Sequence, residues 1–360
     1  MKYVKGILLT INIIFVIGLL SCYAAYYLNP YEYWYISLLG LGYFIWLGLN
    51  IAMMITWLFI KWKYALISLI TLVIGYSFHS KMIAFSVPTT RKDSIKIMSY
   101  NIQLFKYYDW KKNEGLRDRL MNFIEDNEAD IYCFQEYFQM RDNDFSTTEK
   151  LKKIIPDHFM HFEAGVIKYN NQEFGLATFS KFPIINKGTI TIDSTSDRTN
   201  LVIYTDMLIN MDTVRVYNVH LASNHLNTNE VDSMMNTSGK SFSFAKKWAK
   251  KLKNGYKRRY NQVNLFTNKL ASCKYPTIIA GDFNDVPVSY TYRKINQNYA
   301  DAFIESGSGI GASYNGNLPM LRIDYIFYSN NLGCNRFKIH PISITDHFPI
   351  EAELYMRREK

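Results

Sequence analysis

The sequence predicts an α/β (α+β) domain spanning residues 94–360, carried behind an N-terminal region of transmembrane helices. Three observations predict it. Charge is nearly absent from the first 87 residues, where Glu32 is the only acid and Lys2, Lys5, Lys61, Lys63 and Lys81 are the only bases. From Ser94 onward strand-like and helix-like patterns alternate, without internal repeats or low-complexity tracts. Polar residues suited to chemistry recur where the strand patterns end.

The uncharged front divides into three stretches, about Gly6 to Leu28, Tyr33 to Ile60 and Tyr64 to Ser80. Each is near the roughly 20 residues that a bilayer requires. The third carries His79 and borders Lys81, which puts its outer end at the head-group level. Trp34, Trp57, Trp62, Tyr26, Tyr27, Tyr31 and Tyr64 fit aromatic belts at the two interfaces. A cleaved signal peptide is the rival reading of the first stretch. It is disfavoured by length, by the lack of a small-residue cleavage site and by the two spans that follow. Lys2, Lys5, Lys61 and Lys63 share one side while the loop from Asn29 to Tyr33 has no lysine, so the N-terminus is expected in the cytoplasm. Three spans then put the large C-terminal part outside; two would put it inside.

The four cysteines form no disulfide framework. Cys22 falls in a span, Cys133 and Cys273 in or beside apolar strand-like runs, and Cys334 in a turn region. The net charge of +10 overstates how basic the C-terminal part is. Taking five lysines and one glutamate from totals of 41 and 31 leaves 36 basic and 30 acidic residues. Eight of those positive charges lie between Lys246 and Arg259, with no acid among them. Trp248, Leu252 and Tyr256 at i, i+4, i+8 read as the inward stripe of a helix with a solvated basic face. The alternative is contact with anionic lipid or nucleic acid.

After a linker, Pro88 to Asp93, SIKIMSYNI alternates as a strand. Leu116, Leu120, Phe123 and Ile124 take helical spacing, and IYCFQE is a strand after the turn from Asn127 to Asp130. TVRVYNVHL, PTIIAGDFN, RIDYIFYS and PIEAELYM are further strands. Phe242 to Ala271 reads as a helix interrupted near Asn254-Gly255.

Asn101, Glu136, His220, Asp282 with Asn284, and Asp346 with His347 sit at or beside strand ends, where a strand fixes direction and the adjoining loop gives access. Hydrolysis of a phosphodiester needs charge neutralisation on the phosphoryl oxygens, a base for water and a proton donor for the leaving oxygen. Glu136 suits a hard cation such as magnesium. Asp and Asn two apart, as Asp282 and Asn284 are, point the same way, so one can orient water while the other donates to phosphate. An Asx-bonded structural turn is the plain alternative. A carboxylate on one ring nitrogen would keep His347 cationic. His220 ends a strand, whereas His225 falls in the following loop; the residues alone leave the roles of His220 and His347 interchangeable.

The ordered set MSYNIQ at Asn101, QE at Glu136, NVHL at His220, GDFN at Asp282 and Asn284, RIDYIF at Asp324 and TDHFP at Asp346 and His347 resembles the endonuclease/exonuclease/phosphatase superfamily. GLATFSKFP, from Gly175 to Pro183, is similar to a further segment of that family. The resemblance implies a fold related to deoxyribonuclease I, a four-layer αββα sandwich of two mixed sheets flanked by helices. It implies a divalent metal, Mg2+ with Mn2+ as an alternative, held through Glu136 with Asn101 and Asp346 nearby. By the same resemblance Asp282 orients the attacking water, Asn101, Asn284 and His347 contact the phosphate, His347 pairs with Asp324, and His220 protonates the leaving group. The abasic-site endonuclease branch usually has asparagine where His220 stands, which makes DNA repair a poor expectation.

The expectation is therefore a multi-pass, membrane-anchored phosphodiesterase or nuclease. Its catalytic domain is extracytoplasmic, and its substrate is a nucleic acid or a phospholipid head group. Membrane lipid is the only other partner expected, with no obligate protein partner. The alternatives are a phospholipid or inositol-phosphate phosphatase with sphingomyelinase-like activity, and a catalytically silent membrane-tethered binding module.

Overall fold

The computed structural model describes residues 2–91, 93–108, 115–140, 146–169, 171–192, 200–223, 242–316 and 320–357. His225 lies outside the described residues.

Two six-stranded sheets form the centre. The first holds β2 (Ile95–Asn101), β3 (Ile131–Met140), β4 (Phe159–Lys168), β5 (Gln172–Ser180), β13 (Leu332–Ile339) and β14 (Ile350–Met356), in the order β13-β14-β2-β3-β5-β4. The second holds β6 (Ile184–Ile190), β7 (Val202–Ile209), β8 (Asp212–His220), β9 (Thr277–Asp282), β10 (Ala300–Asp301) and β12 (Asp324–Tyr328), in the order β10-β12-β9-β8-β7-β6. Each sheet has one parallel pair, β2 with β3 and β8 with β9, among antiparallel neighbours. The mixed αββα expectation holds.

Period-two side chains explain why these strands are apolar on both faces. Ile95 and Ile97 of β2 point between the sheets, where they meet Cys133, Val214, Val216, Ile278, Ala280, Ile326 and Ala352. Met98 and Tyr100 point outward, under Leu120 and Ile124 of α5 (Gly115–Asp126) and beside Leu151 of α6 (Thr147–Ile154). On the far side Tyr217, Val219, Ile279 and Phe327 are covered by Val263 and Phe266 of the helix Phe242–Leu270 and by Tyr292. That helix runs unbroken through Asn254-Gly255, contrary to the expected interruption. Burial of Leu252, Tyr256, Val263 and Phe266 outweighs the roughly 1 kcal/mol cost of one helical glycine.

The N-terminal region comprises α1 (Lys2–Tyr27), α2 (Trp34–Leu41), α3 (Tyr43–Ile74) and α4 (Tyr76–Met82). Two helices, Tyr3–Tyr27 and Tyr43–Ile74, are long and apolar enough to cross a membrane. The expected second stretch does not begin at Tyr33, because the chain breaks at Gly42 and leaves α2 as a separate short helix. Within α3, Lys61 has φ −164° and ψ 89°, and the helix folds back there. Partners along α1 establish the reversal. Asn50 Nδ2 donates to the Phe15 carbonyl and Trp46 packs on Gly18, so the first half runs antiparallel to α1. Ser68 Oγ donates to Asn12 Oδ1 and Tyr23 OH to the Thr71 carbonyl, so the second half runs parallel to it. Trp57 is fully buried against Tyr64 inside this bundle, not in an interfacial belt. His79 bonds Tyr43 OH at 2.5 Å and the Leu72 carbonyl at 3.0 Å, which satisfies both ring nitrogens.

The bundle is not a loose appendage. Leu19, Cys22, Tyr23, Tyr26, Phe78 and Met82 share one apolar cluster with Val286, Val288 and Tyr292 of the sandwich. Beyond α4, β1 (Ala84–Phe85) pairs with β11 (Ser308–Gly309), and Thr89 N donates to the Asn335 carbonyl at 2.8 Å. The segment Pro88 to Asp93 is thus fastened to the sandwich at Thr89, and pairing with it starts before Pro88. All four cysteines are free thiols, and Cys334 lies in β13, not in a turn, because its strand pairs with β14 through Leu354.

Candidate active site

The ends of β2, β8 and β9 and the starts of the antiparallel β12 and β14 fall at one edge of the sandwich; Glu136, expected at a strand end, lies instead inside β3, which continues to Met140 past a bulge. Register does the fine positioning: Asp282 is the Cα partner of His220 across the parallel pair and of Asp324 across the antiparallel one. Gly281 precedes it at φ +152°, where a Cβ would stand 2.0 Å from the Val219 carbonyl oxygen. Only glycine lets β9 run this close to β8. Asn284 follows at φ 53°, and its backbone N–H donates to Asp282 Oδ1 at 2.8 Å while its Nδ2 donates to the Leu221 carbonyl at 3.0 Å. The Asx-turn alternative is therefore real, and it coexists with an Asn284 side chain that stays partly exposed at the site. Glu136 has φ 50° at a bulge in β3, between Phe134 and Tyr137, which re-aims its carboxylate into the cleft.

Asn101 Nδ2 donates to Asp282 Oδ2 at 3.1 Å and to Glu136 Oε1 at 3.4 Å, linking the two sheets. The same Asp282 oxygen lies 3.8 Å from His220 Nε2 and 3.7 Å from His347 Nε2, and His220 Nε2 lies 3.9 Å from Glu136 Oε1. These separations exceed hydrogen-bond length, so the four groups face one shared space. The second histidine nitrogens differ. His347 Nδ1 lies 2.9 Å from Asp324 Oδ2, whereas His220 Nδ1 is buried with no hydrogen-bond partner among the described residues.

Electrostatics follow from this placement. Burial pushes the His347 pKa down, but Asp324 and Asp282 outweigh it and hold the ring well above its ordinary value. Burial raises Asp324, with His347 opposing, to about 6. Burial also raises Glu136; His220 opposes the shift and Asp346 adds to it. Four carboxylates, Glu136, Asp282, Asp324 and Asp346, thus converge, and none pairs with lysine or arginine among the described residues.

That surplus of negative charge, with oxygen donors and an amide, is what a hard divalent cation requires. Ligand atoms of Asp282, Asp324 and His347 do lie within 4.8 Å of one another. Asp324, however, already accepts from His347 and from Ser313 Oγ at 2.7 Å, so a cation there would break the pair. Glu136, partly open to the cleft and hydrogen-bonded among the described residues to Asn101 alone, is the better fit.

Several supporting residues carried no readable signal in the sequence. Ser313 donates to Asp324 and accepts from the backbone N–H of Ile323 and Asp324. Tyr314 sets its ring edge-on to His347, centroids 5.4 Å apart. Thr345 Oγ1 caps the His347 N–H at 3.1 Å and donates to the Asn101 carbonyl; its place two residues before His347 is the one hint available. Behind the site Gln135 Nε2 donates to Asn218 Oδ1 at 2.8 Å, joining the sheets.

Comparison with known proteins agrees with this arrangement. Residues 98–347 match the endonuclease/exonuclease/phosphatase family, and residues 5–82 match a domain of unknown function (DUF8431). No curated protein matches the chain. Among solved structures, an endonuclease/exonuclease/phosphatase from Bacteroides vulgatus superposes with a TM-score of 0.55 at 17% identity, over 74% of this chain and 100% of that one. The human Nocturnin catalytic domain with bound sulfate gives 0.53 at 19%, over 75% and 96%. A mannosyl-6-phosphatase from Bacteroides thetaiotaomicron gives 0.54 at 16%, over 73% and 100%. At these identities the likeness is one of fold.

Proposed function

The chain belongs to the endonuclease/exonuclease/phosphatase family and is a phosphoester hydrolase; we propose that it is a membrane-anchored, magnesium-dependent phosphodiesterase whose catalytic domain faces the outer side. The observation that carries the reaction is the space bounded by Asp282 Oδ2, His220 Nε2 and His347 Nε2, the two ring nitrogens lying 3.8 and 3.7 Å from that carboxylate oxygen.

Asp282 aligns water there and takes its proton as the oxygen attacks phosphorus. His347, kept cationic by Asp324, draws charge from the phosphoryl oxygens, with Asn284, whose amide has a second N–H to offer, as a neutral donor; Asn101 commits both amide hydrogens to Asp282 and Glu136 and positions them. His220, which has no carboxylate behind its Nδ1 among the described residues, would give its proton to the leaving oxygen. Glu136, with Asn101 and Asp346, would hold Mg2+ or Mn2+. Such an ion would neutralise developing charge on the phosphoryl group. The convergence of every one of these groups argues against a silent binding module. A nucleic acid and a phospholipid head group both present the required bond, and a phosphomonoester of lipid or inositol type is the alternative.

Anchoring rests on the N-terminal helices. Ile13, Ile14, Ile17, Ile45, Ile55, Leu58, Leu69, Ile70 and Val73 are exposed, an apolar girdle suited to lipid and not to water. The reversal at Lys61 supports reading the long apolar helix Tyr43–Ile74 as two passes, the second prolonged by α4, which with α1 would make three crossings. Lys5, Lys61 and Lys63 then gather at the end remote from the sandwich, the cytoplasmic end by the positive-inside rule.

The test is hydrolysis of bis(4-nitrophenyl) phosphate by the purified full chain. Turnover with magnesium that is abolished by a chelator and restored by Mg2+ or Mn2+ supports the reading. Absence of turnover there and on nucleic acid, nucleotide and lipid panels would overturn it.

A further inference from the structure

We propose that the basic face of the helix Phe242–Leu270 rests on anionic phospholipid head groups of the bilayer that holds α1 and α3, and keeps the catalytic cleft against that surface. The proposal rests on the membrane reading above.

The positive run divides in two. Arg259 is buried: its Nη1 donates to the Ala222 carbonyl at 2.7 Å, and its Nε lies 3.5 Å from Asp285. It serves the interior. Lys246, Lys247, Lys250 and Lys253 are exposed, with no acid between Lys246 and Arg259 to neutralise them.

The helix is fixed relative to the cleft. Arg259, and Gln262, which accepts from Ala222 N at 2.8 Å, hold it two residues beyond catalytic His220. Its C-terminal end runs back toward the start of β9, where Cys273 Sγ meets Thr277 Oγ1. At 1.5 Å per residue, the stretch from Arg259 back to Lys246 therefore extends about 20 Å past the sandwich on the catalytic side.

The same stretch touches the bundle at the level expected for head groups. Tyr256 OH donates to the Ser37 carbonyl of α2, Lys257 Nζ lies 4.0 Å from the Tyr31 ring, and Tyr260 and Tyr31 have centroids 6.0 Å apart. Tyr31, Tyr33 and Tyr35, in and beside the connection between α1 and α3, are exposed as aromatic residues at a lipid–water boundary are. Lysines beside such a boundary meet lipid phosphates. A nucleic acid would instead want fully exposed rings among the cations, and here Tyr256 is buried while Trp248 and Tyr260 are only partly exposed.

The test uses the full chain reconstituted in vesicles of phosphatidylcholine alone or with phosphatidylglycerol. Lysines are acetylated with acetic anhydride and read by peptide mass spectrometry, with Lys152 and Lys153 of α6 as internal references. The proposal expects acetylation of Lys246, Lys247, Lys250 and Lys253 to slow about fivefold on phosphatidylglycerol, and high salt to reverse the effect. Equal labelling in both vesicles, with the protein floating with them, overturns this inference alone. So does protection by a DNA oligonucleotide on phosphatidylcholine without protection by phosphatidylglycerol. Failure to float with either vesicle overturns the anchoring reading as well.

Discussion

His347 Nδ1 lies 2.9 Å from Asp324 Oδ2, and that carboxylate is itself held by Ser313 Oγ at 2.7 Å. A ring clamped this way on one side presents its other nitrogen at a fixed angle to Asp282. The charge and orientation of His347 thus depend on Asp324, a residue on its far side from Asp282.

Asp324→Asn keeps a hydrogen-bonding side chain but removes a charge that raises His347. In the proposed mechanism His347 acts as a cation; its raised pKa extends that form above its ordinary 6.5, and losing Asp324 lowers it. The alkaline limb of kcat/KM is expected to move to lower pH, with a loss of roughly 10²-fold at the optimum. A pH–rate profile that keeps its alkaline limb would count against the pairing.

Glu136→Gln leaves the size of the side chain and removes its charge. The metal concentration for half-maximal activity is expected to rise about 10- to 100-fold, with the thermal midpoint little changed. An unchanged Mg2+ activation curve would move the ion elsewhere, toward the Asp282, Asp324 and His347 group.

Arg259→Met leaves Asp285 buried without its cation, although Thr291 Oγ1 still donates to it at 2.8 Å. Loss of a buried partner costs about 3 kcal/mol, and Asp285→Asn in the same chain is expected to recover part of it. Denaturation of the two single variants and the double variant measures the coupling; simple additivity would contradict it.

A chain beginning at Ile83 lacks Tyr23, Tyr26, Phe78 and Met82, which cover Val286, Val288 and Tyr292, and lacks the Lys81 carbonyl that accepts from Arg322. It is expected to melt several degrees lower than the full chain in the same detergent and to aggregate without it. Equal melting temperatures would make the bundle a mere tether.

Much of the site was legible because strand ends announce themselves: SYN, NVH and AGD each close an apolar run with a polar residue, whereas FQE marks a bulge inside β3 that reads as an end in the sequence. Their convergence was not, since it depends on register between β8, β9 and β12. Ser313 was invisible because its loop has no pattern, and its role exists only once Asp324 is beside it. The fold-back at Lys61 carries no glycine or proline, so charge alone marked it. Asn254-Gly255 misled in the opposite direction, because burial of Tyr256 and its neighbours overrode the local preference. The run from Lys246 to Arg259 read as one solvated face, whereas Arg259 is an interior residue.

The most direct test of the account is the turnover number of Asp282→Asn on bis(4-nitrophenyl) phosphate with saturating magnesium, beside the wild-type chain and with matched melting curves. Asp282 touches Asn101 and faces both histidines with one carboxylate oxygen. A fall of about 10³-fold is expected with the folded state intact; turnover within threefold of wild type would rule out Asp282 as the base.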